Sequence, residues 1–124
     1  MWPAATGKES VFMANVLSNR PVGDDFWLIE AAQPNAAQPG QFYMLRAWGD
    51  YPVLSRPISI YDASPESVTF LYKVVGEGTA LLAELREGDA LTLLGPLGNT
   101  FPKAANGERI AMVGGGVGIA PFYY

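Results

Sequence analysis

Six short runs of β-branched and aromatic residues, each closed off by Gly, Pro, Asn or Asp, restrict what this chain can fold into. They occupy residues 9–17, 25–32, 40–47, 57–62, 67–75 and 90–94. Runs of that length and spacing predict an all-β sandwich or barrel. The clearest alternation is at 68–75, where Val68, Phe70, Tyr72 and Val74 share one face and Thr69, Leu71, Lys73 and Val75 the other. Helical spacing is confined to 79–86, with Thr79 as the N-cap, Leu81, Leu82 and Leu85 as an apolar stripe and Gly88 as the stop.

A chain of 124 residues holds one ordinary domain and is too short for two complete ones. Apolar residues make up 49% and charged residues 16%, a balance that fits a packed core and argues against disorder. Eight Lys and Arg are scattered singly within a net charge of −4, so a nucleic-acid partner is not expected. No apolar run is long enough to span a bilayer and the first eight residues lack a signal-peptide pattern, so no membrane partner is expected and a cytoplasmic location is simplest. The chain has neither Cys nor His. It therefore cannot by itself build a structural zinc site, an iron–sulfur cluster or a His-based triad. No metal ligand and no catalytic side chain is assigned, and redox chemistry would need an organic cofactor or another chain.

Three constellations could nevertheless hold a ligand. In Arg56-Pro57-Ile58-Ser59 the Arg offers a planar fork of donors to phosphate, and the Ser offers a hydroxyl and an amide to a polar ring edge. The same four residues also suit an ordinary strand start. Leu71-Tyr72-Lys73 followed by Gly76-Glu77-Gly78-Thr79 joins a strand to glycines and a helix N-terminus, which could receive a pyrophosphate or serve as a plain capped turn. Gly114-Gly115-Gly116-Val117-Gly118-Ile119-Ala120-Pro121 follows the compact apolar run 109–113, as a strand and glycine-rich turn open a nucleotide-binding α/β domain. Asp24, Asp25, Glu84 and Glu87 read as solvated charges, and Trp27, Phe42 and Phe70 as core.

Taken in order, Pro39-Gly40-Gln41-Phe42, Arg56-Pro57-Ile58-Ser59, Leu71-Tyr72-Lys73 with Gly78-Thr79, Gly95-Pro96-Leu97-Gly98-Asn99 and the glycine run from Gly114 to Pro121 resemble the ferredoxin–NADP reductase superfamily. Within it the likeness is nearest to electron-transfer subunits of class 1B dihydroorotate dehydrogenase. Ile58 supports that branch, since the wider superfamily usually has an aromatic residue there. Thr100 departs from it, standing where Gly is common.

The resemblance implies a six-stranded antiparallel Greek-key barrel with one short helix that binds FAD. It implies a nicotinamide domain and a cysteine-ligated [2Fe–2S] segment in the complete protein, and a catalytic dehydrogenase subunit as partner in a hetero-oligomer serving pyrimidine biosynthesis. By the same likeness Arg56 pairs with the FAD pyrophosphate, Pro57, Ile58 and Ser59 border the isoalloxazine, Leu71, Tyr72 and Lys73 flank the ribityl and phosphate portion, and Gly78 and Thr79 donate to the phosphates. Gly114, Gly115, Gly116, Gly118 and Pro121 would form the NAD loop. Rival readings are another NADH-dependent flavoprotein subunit, of sulfide dehydrogenase or hydrogenase type, and a ligand-free β-barrel interaction module.

The expected organisation is a barrel at 1–102, a linker at 103–108 and the start of a nucleotide-binding domain at 109–124. Only three residues follow Pro121, so that second domain is not expected to be completed in this chain. The tail 114–124 is expected to be poorly packed or held by a neighbouring chain, the bare strand 109–113 to invite self-association, and NADH to be used inefficiently.

Overall fold

The computed structural model describes residues 10–124; residues 1–9, which include the stretch read for a signal pattern and the first residue of the first expected strand, lie outside the described residues. Six strands form: β1 (Ser10–Pro21), β2 (Phe26–Ala32), β3 (Phe42–Arg46), β4 (Arg56–Ser64), β5 (Ser67–Lys73) and β6 (Ala90–Leu97). Every neighbouring pair is antiparallel, and the order β1-β2-β5-β4-β3-β6 closes on itself. Because β3 is not beside β2 and β6 is not beside β5, two connections cross an end of the barrel, which is the Greek-key pattern expected.

The period-two alternation builds the interior. Ala14 and Val16, Ile29 and Ala31, Tyr43 and Leu45, Ile60, Val68 with Phe70 and Tyr72, and Leu91 with Leu93 all point inward and are buried. A six-stranded barrel is narrow enough for these side chains to fill it, so the interior is a core and not a channel. Phe70 lies in it as expected, whereas Trp27 packs on its margin and Phe42 is half-buried. Tyr43 meets Phe70 edge-on at 5.7 Å.

The helix α1 (Glu77–Ala83) starts earlier than its expected position, and its N-cap is Gly76. Thr79 is the third helical residue, and its Oγ1 accepts from the Val75 and Gly76 amides at 2.9 and 3.2 Å. A side chain expected at the cap reaches back to it instead. Leu82 enters the core, and Asn19 Nδ2 donates to the Leu82 and Leu85 carbonyls at 2.8 and 3.0 Å, tying the helix C-terminus to β1. The Tyr72 hydroxyl donates to Asn19 Oδ1 at 2.9 Å.

Two expectations about the last residues are corrected. Residues 109–113 form no strand, and Ile110, Met112 and Val113 are exposed. An extended segment needs a neighbour for its amides and carbonyls, and no strand among the described residues lies beside it. The edge proposed for self-association is accordingly not formed. The tail is also better packed than expected: Gly116–Phe122 is a 3-10 helix lying on β4 and β5, with Ala120 buried. Tyr123 stacks on Tyr61 with ring centroids 4.3 Å apart, and the Tyr124 hydroxyl donates to the Ala37 carbonyl at 2.6 Å. Residues 103–108 are irregular and exposed.

Candidate functional site

The site exists because two adjacent strands part company. β4 and β5 pair from Ile60 opposite Phe70 to Ser64 opposite Ser67, with Tyr61 inserted as an extra residue. Beyond Ile60 the pairing stops. Arg56 to Ser59 keep only β3 as a neighbour, and Leu71 to Lys73 keep only β2. One backbone edge of each strand is left facing a gap, where its polar groups can serve something other than a sheet.

The gap is a cleft of about 450 Å³ lined by Arg56, Pro57, Ile58, Ser59, Leu71, Tyr72, Lys73, Val75, Thr79, Val117, Gly118, Ala120 and Pro121. Residues that sequence reading drew from three separate constellations thus share one wall. Gly78 does not line the cleft but stands behind Arg56: a Cβ built there would lie 2.6 Å from the Arg56 Nε. Of the glycine run, Gly118 and Pro121 reach the cleft, whereas Gly114, Gly115 and Gly116 do not. Val75, Val117 and Ala120 were not singled out from sequence. Nothing in an isolated Val or Ala signals a cleft wall, and the placement of Val117 and Ala120 depends on the folded-back 3-10 helix.

Charge is distributed to suit an anion. Among the described residues the lining holds two cations, Arg56 and Lys73, and no carboxylate, within a chain of net charge −4. Arg56 donates from Nη1 to the Leu54 carbonyl at 2.7 Å, which leaves most of its fork available. Lys73 Nζ lies 5.7 Å from the Phe26 ring centroid and stays exposed. Thr79 lines the cleft too, with its hydroxyl engaged inside its own turn, accepting two amides and donating to the Gly76 carbonyl. That turn presents fewer free donors than a bare helix N-terminus would.

Trp48, in the loop between β3 and β4, was not read as functional. Its ring has the Arg56 Cζ 5.6 Å from its centroid and the Arg46 Cζ 5.9 Å away. The signal available in sequence was an aromatic residue two positions after one Arg and eight before another, which is too loose to act on alone.

Among the described residues no group of three or more His, Cys, Asp or Glu could hold a metal ion, and no helix is long and apolar enough to cross a membrane. The arrangement suits a ligand with a flat apolar body and an anionic extension.

No family model matches the chain. The electron transfer subunit of dihydroorotate dehydrogenase B from Clostridium acetobutylicum is 45% identical over 117 residues, covering 94% of this chain and 48% of that protein. Its counterpart from Caldanaerobacter subterraneus is 43% identical over 112 residues, covering 90% and 44%. The chain spans about half the length of the curated relatives it matches. Among solved structures, the ferredoxin reductase of carbazole 1,9a-dioxygenase superposes with a TM-score of 0.80 at 26% identity, covering 98% of this chain and 39% of that one. An NADH-dependent reduced ferredoxin-NADP oxidoreductase superposes with a TM-score of 0.79 at 30% identity, covering 90% and 42%.

Proposed function

We propose, from the premise that the chain belongs to the ferredoxin-reductase superfamily alongside the electron transfer subunits of dihydroorotate dehydrogenase B, that it is the FAD-binding barrel of an NADH-linked electron-transfer flavoprotein. The observation that carries this reading is the parting of β4 from β5, which gathers Arg56 to Ser59 and Leu71 to Lys73 around one cleft that, among the described residues, has two cations and no acid.

The residues present fit the cofactor. Arg56 holds a fork with donors to spare, the size for a pyrophosphate, and Gly78 leaves the space the fork occupies. Lys73 adds a second positive charge. Pro57, Ile58 and Ser59 form one wall for a ring, with Ser59 supplying a hydroxyl and Ile58 an aliphatic surface. Val75, Val117 and Ala120 add apolar surface to the lining. When bound, FAD supplies hydride exchange with a nicotinamide and single-electron exchange with an iron–sulfur centre. The chain's own part is to bind, orient and partly desolvate it.

In this reading a [2Fe–2S] cluster takes its cysteine ligands from outside these 124 residues, which contain no Cys, and NAD(H) reaches the flavin at the cleft. Gly118 and Pro121, on the cleft wall, are where the nicotinamide-binding part meets the barrel. The electrons are exchanged with a catalytic dehydrogenase subunit acting on dihydroorotate, in a hetero-oligomer.

The test is direct. Purified chain is incubated with FAD, desalted and examined by absorption and fluorescence. Retention of about one flavin per chain with a structured visible band supports the assignment. A colourless chain that leaves FAD fluorescence unchanged overturns it in favour of an interaction module.

A further inference from the structure

We propose that Trp48 is a positioning residue that orients the Arg56 guanidinium for anion binding, an inference that rests on the reading of the cleft above. Trp48 does not line the cleft, so it acts through Arg56.

The geometry comes from the loop joining β3 to β4. Arg46, at the end of β3, donates from Nε to the Trp48 and Gly49 carbonyls at 3.2 and 2.9 Å, from Nη1 to the Val53 carbonyl at 2.8 Å and from Nη2 to Gly49. All three of its guanidinium nitrogens are engaged by the loop backbone. The Trp48 Nε1 then donates to the Pro52 carbonyl at 2.6 Å, which fixes the ring within the loop that Arg46 has folded. Two arginines therefore share one aromatic ring, but only Arg56 keeps a free fork.

Arg56 needs such a guide. Its side chain has four rotatable bonds, and a fork must be held in one plane to meet two phosphate oxygens at once. The Leu54 carbonyl fixes one nitrogen, at 2.7 Å. Trp48 bounds the guanidinium on one side and Gly78 on another: a Cβ at 78 would approach the Arg56 Nε at 2.6 Å and the Trp48 Cη2 at 3.0 Å. The guanidinium sits in a slot made by an indole, a carbonyl and a missing side chain. A ring attracts a guanidinium through its charge, whereas an anion takes its N–H donors, so the two interactions are compatible at one Arg.

A double-mutant cycle on the full 124-residue chain tests this, with FAD as the probe and flavin fluorescence as the readout. Trp48→Leu should weaken FAD binding about tenfold. In an Arg56→Ala background the same change should have less than a twofold effect, because there is no guanidinium left to orient. Trp48→Phe keeps a ring and should lose only about threefold; if the Leu variant fails to fold, the Phe variant carries the same cycle. A Trp48 effect of equal size with and without Arg56 would overturn the proposal, since it would mean a general role in loop structure. An Arg56→Ala chain that binds FAD as tightly as the parent would overturn the reading of the cleft itself and the role of Trp48 with it.

Discussion

Gly78 and Arg56 are in direct apposition, with room at position 78 for a hydrogen and for nothing larger while the guanidinium stays where it is. Gly78 is the second residue of α1, where Ala is better tolerated than Gly by about 0.5–1 kcal/mol. The atoms nearest to it belong to the end of the flexible Arg56 side chain, with the edge of the Trp48 ring next at 3.0 Å, so the fold can accommodate the change chiefly by moving Arg56. Gly78→Ala should therefore leave urea stability unchanged or raised while weakening FAD binding about tenfold. Parallel denaturation and flavin titrations on one preparation check both halves; an affinity that survives would show that the slot is not needed.

Removing the fork is the more direct perturbation. Arg56→Ala should cost about 2 kcal/mol of FAD affinity, roughly thirtyfold, the scale of one charge-assisted contact. Arg56→Lys should recover part of it, because a point charge cannot meet two oxygens as a plane does. Fluorescence titration ranks the three chains, and any order other than Arg, Lys, Ala contradicts the assignment.

Two interior tyrosines give the fold an alkaline limit. Burial pushes the Tyr43 hydroxyl up to about 12, with Tyr124 adding to the effect. Burial also pushes Tyr72 up to about 12, against a hydrogen bond to Asn19 that pulls it down. Both are raised above the unfolded value of about 10, so the fold favours the protonated form. Their stabilisation is whole below pH of about 10 and is lost as pH rises toward about 12, by roughly 2 kcal/mol for each. The two differ at neutral pH. Among the described residues the buried Tyr43 hydroxyl has no partner, so Tyr43→Phe should be neutral or stabilising, whereas Tyr72→Phe strands Asn19 Oδ1 and should cost about 1 kcal/mol. Urea titrations at pH 7 and across pH 9 to 11.5 separate these effects.

The 3-10 helix Gly116–Phe122 is held by its two flanking aromatics, Tyr123 on Tyr61 and Tyr124 on Ala37. Tyr123→Ala combined with Tyr124→Phe removes a stacked pair and a hydrogen bond, together about 2 kcal/mol. Amides of 116–122 should then exchange about tenfold faster while those of β5 are unchanged. Equal rates in parent and variant would mean that Ala120 and its apolar contacts suffice.

The barrel was legible because its strands obey a simple period. Val68, Phe70 and Tyr72 alternate inward as read, and Ile29 and Ala31 follow the same rule. Gly95-Pro96-Leu97 was less so: the residues are those of a turn, yet they continue β6. Gly95 is there because the Tyr43 ring lies across it, a Cβ at 95 falling 2.5 Å from Cδ1. A glycine chosen for close packing and one chosen for a turn look alike in sequence. Residues 109–113 show the opposite failure, since their apolar pattern is a strand's and no strand among the described residues pairs with them. In the cleft, Arg56 and Lys73 stood out by charge. Trp48 did not, because its meaning depends on a loop folding back so that two arginines ten positions apart meet one ring.

The divergence of β4 from β5 has a mechanical meaning as well. Arg56 to Ser59 carry no hydrogen-bonded neighbour on their cleft side, while ring closure is secured further along, from Ile60 to Ser64. The portion of the strand that meets a ligand is thus not the portion that bears the tension of closing the ring. Ligand preference can drift through successive substitutions at the gap while the hoop that supports it stays shut.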